Sequence, residues 1–188
     1  MMNAVIVLLI VSVVAWAFQK AFVPPSSVVS GPRPSPGVPN ACTVPDAATL
    51  AQLIPRAAAG DRDVSRHRSG CTLSGNGRSL RIEISRTPGS RGAGAAEEFA
   101  RLRQLDALFR RRPPLQDRPG IGDEAFLSRF SQDGAVAARL VTRRDDVVVV
   151  IIYRAPPQVP PRVPADPEAY AVVVAGAEAV LADVLAML

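Results

Sequence analysis

The sequence is poor in the residues that carry most enzymatic and metal chemistry. It has one histidine, His67, and two cysteines, Cys42 and Cys71, in 188 residues. A zinc site of the usual kind needs about four nitrogen or sulfur ligands, so these three residues supply at most a partial set. A catalytic triad would need His67, which lies between two arginines in a polar stretch, and no G-x-S-x-G motif occurs. We therefore expect no metal, no cofactor and no catalytic activity.

Aromatic residues and lysine are also scarce. Aromatic side chains make up 5% of the chain, and Lys20 is the single lysine among 22 basic residues. The formal net charge of +5 therefore comes from arginine, a bias typical of a GC-rich genome before it indicates an anion site. With few rings to stack bases, nucleic acid is not expected as a partner. The 48% hydrophobic and 21% charged content predicts one globular domain with accessory segments.

An apolar run occupies residues 4–18 and is interrupted only by Ser12. A helix of this length spans about 22 Å, short of the roughly 30 Å hydrocarbon core, but Lys20 can snorkel and let the span continue to Val23. The A-W-A sequence that ends at Ala17 has the small-x-small form of a signal-peptidase site. Residues 1–23 are therefore predicted to be a transmembrane anchor or a signal peptide, and cleavage after Ala17 would release a secreted protein.

A proline-rich stretch, residues 24–41, follows the apolar run. Proline fixes φ and removes backbone donors, so this stretch is predicted to be a linker. Residues 42–188 are predicted to form the extracytoplasmic domain of a single-pass protein of the cell membrane. In an exported chain, Cys42 and Cys71 are expected to form a disulfide.

The first half of this domain shows the signals of a helix and a hairpin. A short helix is predicted after Cys42, with Thr43 as its N-cap and Pro55 at its end. Asn76-Gly77 then predicts a tight turn between two strands. The second strand alternates, so its core-facing residues are expected to be Leu80, Ile82 and Ile84. The intervening residues, expected to face water, are Arg81, Glu83 and Ser85.

A second helix is predicted over residues 95–111. The glycine-rich loop before it, residues 86–95, is an arrangement whose backbone amides can hold an anion, but its glycines do not match the phosphate-loop pattern and no lysine follows. Its apolar side would consist of Phe99, Leu102, Leu105 and Phe109. Three arginines, Arg110, Arg111 and Arg112, follow at its end, where positive charge suits the helix dipole. This pattern is typical of a solvated last turn, and it also makes these arginines a possible anion contact.

The second half of the domain predicts three antiparallel strands and a final helix. The strands cover residues 124–130, 135–143 and 147–153, with turns at Asp133-Gly134 and at residues 144–146. The third strand is apolar on both faces and should be central. The final helix has Asp166 as N-cap and Pro167 at its first position. Its acidic residues, Glu168, Glu178 and Asp183, argue against a second membrane span. The predicted fold is α+β, with helices covering an antiparallel sheet.

The stretch P-G-I-G-D-E-A-F, residues 119–126, combines two glycines with adjacent carboxylates. A phosphate-binding loop would need a following helix and a lysine, and neither is present. Asp123 and Glu124 lack partners at metal-ligand spacing, and neighbouring residues of a strand point to opposite faces. We predict a turn into the strand meander, in which Gly120 and Gly122 supply backbone freedom and Asp123 a side-chain hydrogen bond.

With these features in place, the chain resembles the actinobacterial exported and lipoprotein-type family called domain of unknown function three-five-five-eight. The resemblance rests on the N-terminal apolar segment, the proline-rich spacer, the cysteine pair and residues 120–125. It departs from the family pattern in lacking a lipid-modified cysteine and in having Leu73 where a tryptophan is expected. The resemblance implies a cell-envelope domain without a defined activity.

Two functions are consistent with these patterns. The first is a membrane-tethered or secreted binding or sensor module of the cell envelope, without catalytic activity, whose partners are the membrane and an envelope protein or ligand. The alternative is an arginine-rich protein that binds an anionic envelope polymer or lipid. Salt would separate the two, because a polyanion site weakens steeply as salt rises.

Overall fold

The computed structural model describes residues 38–87, 93–108, 113–157 and 166–188. The predicted membrane segment at residues 1–23 and residues 24–37 of the predicted linker lie outside the described residues. Three helices are described: α1 (Ala47–Leu53), α2 (Ala93–Ala107) and α3 (Pro167–Ala186). Seven strands are described: β1 (Ala58–Val64), β2 (Arg68–Gly75), β3 (Arg78–Arg86), β4 (Gln116–Asp117), β5 (Glu124–Gln132), β6 (Ala135–Arg144) and β7 (Val147–Ala155).

All seven strands form one antiparallel sheet in the order β1-β2-β3-β7-β6-β5-β4. The predicted hairpin and meander are both confirmed, and β7 lies in the centre between β3 and β6. Central placement follows from the composition of β7, since seven of its nine residues are buried. The turn residues Asn76 and Asp133 have φ of 51° each, so both short connections use the left-handed conformation that their sequences favour.

The prediction of only five strands was wrong, because β1 and β4 carry no recognisable pattern. In β1, six of the seven residues are exposed, so no apolar alternation marks the strand. It forms because backbone groups of β2 would otherwise lack partners at the sheet edge. Its pairing is broken by an irregularity between Ala59 and Arg62. Strand β4 is two residues long and pairs with Phe126 and Leu127.

One face of the sheet is covered by residues 38–54 and by α3. The core on this side includes Leu80, Ile82 and Ile84, which are all fully buried as expected. Tyr153 reaches from β7 to α1, where its hydroxyl donates a hydrogen bond of 2.8 Å to the carbonyl of Leu53. The last carbonyl of that helix thereby gains a partner inside the core.

Strand β2 holds the segment that precedes α1. Cys42 and Cys71 form the predicted disulfide, with their α-carbons 5.2 Å apart. Two residues earlier on the same face of β2, the buried hydroxyl of Ser69 accepts a hydrogen bond of 2.9 Å from the amide of Ala41. The disulfide and this hydrogen bond attach the beginning of the described chain to the sheet.

The other face of the sheet is covered by α2. Phe99 and Leu102 pack against β5, β6 and β7, and the rings of Phe99 and Phe126 meet edge to face at 5.4 Å. Leu105 was predicted to face this core, but it is 42% exposed. The next residue of α2, Asp106, is instead the one that is turned to the sheet, where it pairs with Arg139 of β6.

The helix ends follow capping rules with one correction. Thr43 does not cap α1, which begins later, at Ala47, with Asp46 accepting hydrogen bonds from the amides of Ala48 and Thr49. The hydroxyl of Thr43 instead donates to the carbonyl of Asn40. Asp166 caps α3 by accepting from the amide of Glu168, as expected. Pro45 explains why α1 begins later than predicted, since the residue before a proline disfavours helical geometry.

Candidate functional site: a charged groove beside helix α2

A groove of about 460 Å³ lies between α2 and the part of the sheet that α2 leaves uncovered. Helix α2 covers the apolar residues of β6 and β7, but on β3 the same sheet face carries Glu83 and Ser85, and on β2 it carries Arg68. These polar residues cannot pack against an apolar helix face, so the space beside α2 stays open. The volume is within the range of small-molecule sites, which is about 300–1,000 Å³.

Charged side chains of both signs line this groove. They come from β2, β3, β6 and α2 and are Arg68, Glu83, Arg139, Glu97, Glu98 and Arg101. Leu102 and Val150 provide the apolar part of its wall. Charged side chains outnumber apolar ones in this lining, so the groove suits a polar or charged ligand.

The arginines of the groove are each bonded to a carboxylate. Arg68 lies 2.8 Å from Glu83, and Arg101 binds Glu98 through two hydrogen bonds of 2.6 and 2.7 Å. The hydrogen bond from Arg101 is the main cause that lowers the pKa of the Glu98 carboxyl, against the opposing effect of burial. Glu98 therefore stays ionised in the folded protein at neutral pH.

The floor of the groove contains a buried ion pair. Arg139 donates a hydrogen bond of 2.8 Å to Asp106, whose side chain is fully buried, while the Arg139 side chain is 18% exposed. Ser128 stands opposite Arg139 on β5 and is fully buried. A buried carboxylate needs such a partner, because an unpaired charge in the interior is strongly destabilising.

Residues 119–126 lie away from this groove and form a connection between β4 and β5. Gly120 and Gly122 have φ of 84° and 59°. The carboxylate of Asp123 accepts hydrogen bonds from the amide of Asp145 at 2.9 Å and from the guanidinium of Arg143 at 2.8 Å. Asp123 therefore fastens its own turn to the turn between β6 and β7, a partner that the sequence did not indicate.

The adjacent carboxylates Asp123 and Glu124 do not point to opposite sides as expected. Both bind the same guanidinium, that of Arg143, at 2.8 and 3.3 Å. Asp123 precedes the first residue of β5, so strand alternation does not apply to it. The arrangement is an ion-pair cluster around one arginine.

Other residues singled out in the sequence are separate from the groove. Arg110, Arg111 and Arg112 lie outside the described residues, as do residues 88–92 of the glycine-rich loop. His67 is exposed in the turn between β1 and β2 and is not among the residues that line the groove. Within the four described ranges, no group of three or more His, Cys, Asp or Glu side chains could hold a metal ion.

The positive charge of the chain is unevenly distributed. Fifteen of the 22 basic residues and all 17 acidic residues lie in the described ranges, which gives that part a formal charge of −2. The seven remaining basic residues, which account for the net positive charge, are Lys20, Arg33, Arg91, Arg110, Arg111, Arg112 and Arg162. The described domain is therefore slightly acidic, although the whole chain is basic.

Among the helices that the structure describes, α3 alone is long and apolar enough to cross a membrane by length and composition, with a mean hydropathy of 1.8. Its buried residues, which include Tyr170, Val173 and Leu181, contact the sheet. In this fold, the apolar side of α3 is used as a core surface.

Comparison with known proteins adds no relative. No family model matches the chain, and neither a curated protein nor a solved structure matches it. The functional argument therefore rests on the groove itself.

Sequence reasoning placed Glu83 and Ser85 on the solvent side of β3 but did not connect them with α2. Arg139 gives no signal of a site by itself, because its strand also contains Arg143 and Arg144.

Proposed function

We propose that this protein is a non-catalytic binding module of the cell envelope, tethered by residues 1–23 or released by cleavage after Ala17. Three features support the proposal. An apolar segment and a proline-rich stretch precede the domain in the sequence. The domain contains the Cys42–Cys71 disulfide, which persists in oxidising compartments. The resemblance to the exported family rests on the same segments and the same cysteine pair, and it also implies a cell-envelope location.

The observation that carries the binding role is the groove beside α2. Four elements bring six charged side chains to one cavity whose volume suits a small ligand or a short chain segment. On β3, the groove contains the hydroxyl of Ser85, which donates a hydrogen bond of 3.4 Å to the carbonyl of Val148. No histidine is among the residues that line the groove. An activated nucleophile would need a base within hydrogen-bond reach. Among the residues that line the groove, the arrangement favours recognition over covalent chemistry.

Binding of an anionic polymer is the alternative, and the described surface does not favour it. A polyanion site needs an excess of positive charge along a face. The described part carries a formal charge of −2, and most of its arginines are bonded to carboxylates. Such a function would have to depend on the seven basic residues outside the described ranges.

Cell fractionation with thiol labelling tests the compartment. We expect the chain in the membrane or culture fraction, with Cys42 and Cys71 resistant to a maleimide reagent until a reductant is added. A chain that remains in the cytosol with both thiols immediately reactive would overturn the proposal. The Cys42→Ala/Cys71→Ala variant serves as the labelling control, because it has no other cysteine.

Site-specific photo-crosslinking in intact envelopes tests the groove. A benzophenone amino acid at Ser85, in the groove, is expected to give discrete adducts that disappear when Arg139 is replaced by lysine. The matched position is Ala175, which is exposed on α3 on the opposite side of the sheet. Equal adducts from both positions, or adducts indifferent to Arg139, would contradict a binding role for the groove.

A further inference from the structure

Three guanidinium groups from separate elements act on one carboxylate in the groove. Glu98 is bonded to Arg101 by two hydrogen bonds, and Arg68 and Arg139 add electrostatic stabilisation of its charge. Arg68 belongs to β2 and Arg139 to β6, so the convergence depends on the tertiary fold. All three arginines line the same groove, and guanidinium groups are the usual partners of a carboxylate or phosphoryl group.

Arg139 has hydrogen-bonding capacity that its partner does not use. Its Nη1 donates to Asp106, while its buried Nε has no hydrogen-bond acceptor among the described residues. A guanidinium has five N–H donors arranged in forks, so one edge can hold Asp106 while another binds a second acceptor. The Arg139 side chain is 18% exposed and lines the groove, so a ligand can supply the second acceptor to the exposed part of its guanidinium.

Ser128 provides an independent sign of the same kind. It lies opposite Arg139 on the neighbouring strand and is fully buried. Its hydroxyl oxygen has no hydrogen-bond partner within the part of the chain that the structure describes. Buried polar groups in native proteins are nearly always bonded, and exceptions are frequently functional. Ser128 does not itself line the groove, so the two unbonded groups mark the surroundings of Arg139 as incompletely satisfied.

The ion pairs around the groove differ in how easily they can open. Arg68 and Arg81 share one carboxylate, that of Glu83, at 2.8 and 2.6 Å. Arg101 is bonded to Glu98, and Arg139 to Asp106. Glu98 is the member that can leave, because its side chain is 33% exposed whereas that of Asp106 is fully buried.

From these contacts we infer that the groove binds the oxyanion group of a ligand, a carboxylate or phosphoryl group, at Arg68, Arg101 and Arg139, and that Glu98 occupies this place in the free protein. This inference rests on the proposed binding function and names its ligand chemistry. Binding exchanges Glu98 for the ligand oxyanion, and Glu98 turns to solvent. The exchange conserves the ion pairs of the arginines while the ligand supplies a further acceptor for the part of the Arg139 guanidinium that faces the groove.

The chain offers a matched pair of variants to test this exchange. Glu98→Gln and Glu97→Gln remove one negative charge from adjacent positions of α2, but among the described residues only Glu98 is bonded to an arginine. Titrations with inorganic phosphate and with glutarate are followed by the NMR signals of the arginine Nε–H groups. We expect Glu98→Gln to bind at least one probe about fivefold or more tightly than the natural protein. Glu97 also lines the groove but holds no arginine among the described residues, so Glu97→Gln measures the effect of the lost charge alone and should tighten binding by no more than about twofold.

Arg139→Lys provides the opposite test. Lysine keeps a positive charge beside Asp106 but has no Nε fork, so the fold is retained while the second acceptor position is lost. We expect probe affinity to fall about tenfold, with an unchanged near-ultraviolet circular dichroism spectrum.

Binding of phosphate alone assigns a phosphoryl ligand, binding of glutarate alone a carboxylate ligand, and binding of both a shared oxyanion site. Equal affinities of Glu98→Gln and Glu97→Gln, or no loss in Arg139→Lys, would overturn the inference.

These outcomes are separable from a failure of the proposed function. The titrations use the purified folded chain and do not depend on its cellular compartment. A cytosolic protein whose Glu98→Gln variant binds phosphate more tightly would refute the envelope role and retain the oxyanion site. An envelope protein that crosslinks at Ser85 but shows no effect of Glu98 would refute the oxyanion site and retain the binding role.

Discussion

The ring of Tyr153, in the central strand, lies against the α-carbon of Gly176 in α3. A β-carbon at position 176 would lie 2.6 Å from both Cδ1 and Cε1 of Tyr153 and 3.0 Å from Cδ2 of Leu53. The hydroxyl of the same tyrosine donates to the carbonyl of Leu53. The missing side chain at position 176 therefore lets α3, β7 and the end of α1 meet at one point.

Replacing Gly176 with alanine should destabilise the domain by about 1–2 kcal/mol. Forcing a methyl group into a packed contact costs roughly 1–3 kcal/mol, and the better helix propensity of alanine returns up to about 1 kcal/mol. Urea unfolding followed by circular dichroism measures the difference. Ala175→Gly, at an exposed position of the same helix, is the control and should lose only the propensity of about 1 kcal/mol. A stabilised Gly176→Ala variant would show that this contact is absent.

Tyr153 should make stability depend on alkaline pH. Burial raises the pKa of its phenol above the ordinary value of 10.0. The unfolded chain therefore loses this proton at a lower pH than the folded chain does. The contribution of Tyr153 to the free energy of unfolding is complete below pH 10 and decreases as the pH rises toward the pKa of the folded state. Tyr153→Phe should remove this part of the decrease while costing about 1 kcal/mol at neutral pH through the lost hydrogen bond. Free energies of unfolding measured from neutral pH to above the ordinary pKa test this, and parallel curves would refute it.

The disulfide should contribute about 3–4 kcal/mol by the loop-closure model, because it joins residues separated by 29 positions. The double variant Cys42→Ala/Cys71→Ala is expected to unfold at correspondingly lower urea. Adding reductant should bring the natural protein to a similar midpoint and leave the double variant unchanged. If reduction shifted the double variant as well, the effect would not come from this disulfide.

The two glycines of residues 119–126 should differ sharply in their tolerance of alanine. A β-carbon at Gly122 would lie 2.5 Å from the carbonyl oxygen of Arg143 and from Oγ1 of Thr142, whereas a β-carbon at Gly120 meets nothing within 4 Å. Gly120→Ala should cost about 1 kcal/mol for its positive φ alone. Gly122→Ala should cost about 3 kcal/mol or more, since a backbone atom cannot move away cheaply. Equal losses in thermal or urea unfolding would contradict the arrangement of this turn.

Asp123 should act on stability and not on the groove. Asp123→Ala removes two hydrogen bonds that join two turns, and because its side chain is 42% exposed the expected loss is only about 1 kcal/mol. Glu124→Ala removes a longer contact with Arg143, of 3.3 Å, from a side chain that is 50% exposed. It should cost about half as much or less. Phosphate and glutarate affinities should be unchanged in both variants, and a changed affinity would connect this turn with the groove.

Much of the fold follows from local patterns. The Asn76-Gly77 and Asp133-Gly134 turns, the alternation around Ile82 and the continuous apolar run of β7 each satisfy a backbone or burial requirement within a few residues. The cap at Asp166 is equally local. The errors have the opposite origin: β1 is placed by pairing with β2 and not by a pattern of its own, and Leu105 is exposed while its helix neighbour Asp106 is buried against Arg139 of the sheet.

The candidate site shows the same division more strongly. Neither Arg68 nor Arg139 stands out in the sequence, because ordinary surface arginines share their surroundings. They lie 71 positions apart and meet at Glu98 only when three strands and a helix have assembled. No periodicity encodes that meeting, so no reading of local pattern could have found it.

By itself, the sequence determined the class of the fold, the disulfide pair, the turns and the order of most elements. Hydrophobic periodicity and turn chemistry act over short ranges of the chain, and the chain has only two cysteines that could pair. Only the tertiary structure decided the seven-stranded sheet, the glycine contact at Tyr153, the partner of Asp123 and the charged groove. The physical reason is that these features depend on distances between residues remote in the chain. Such distances are set when the sheet and its helices pack together.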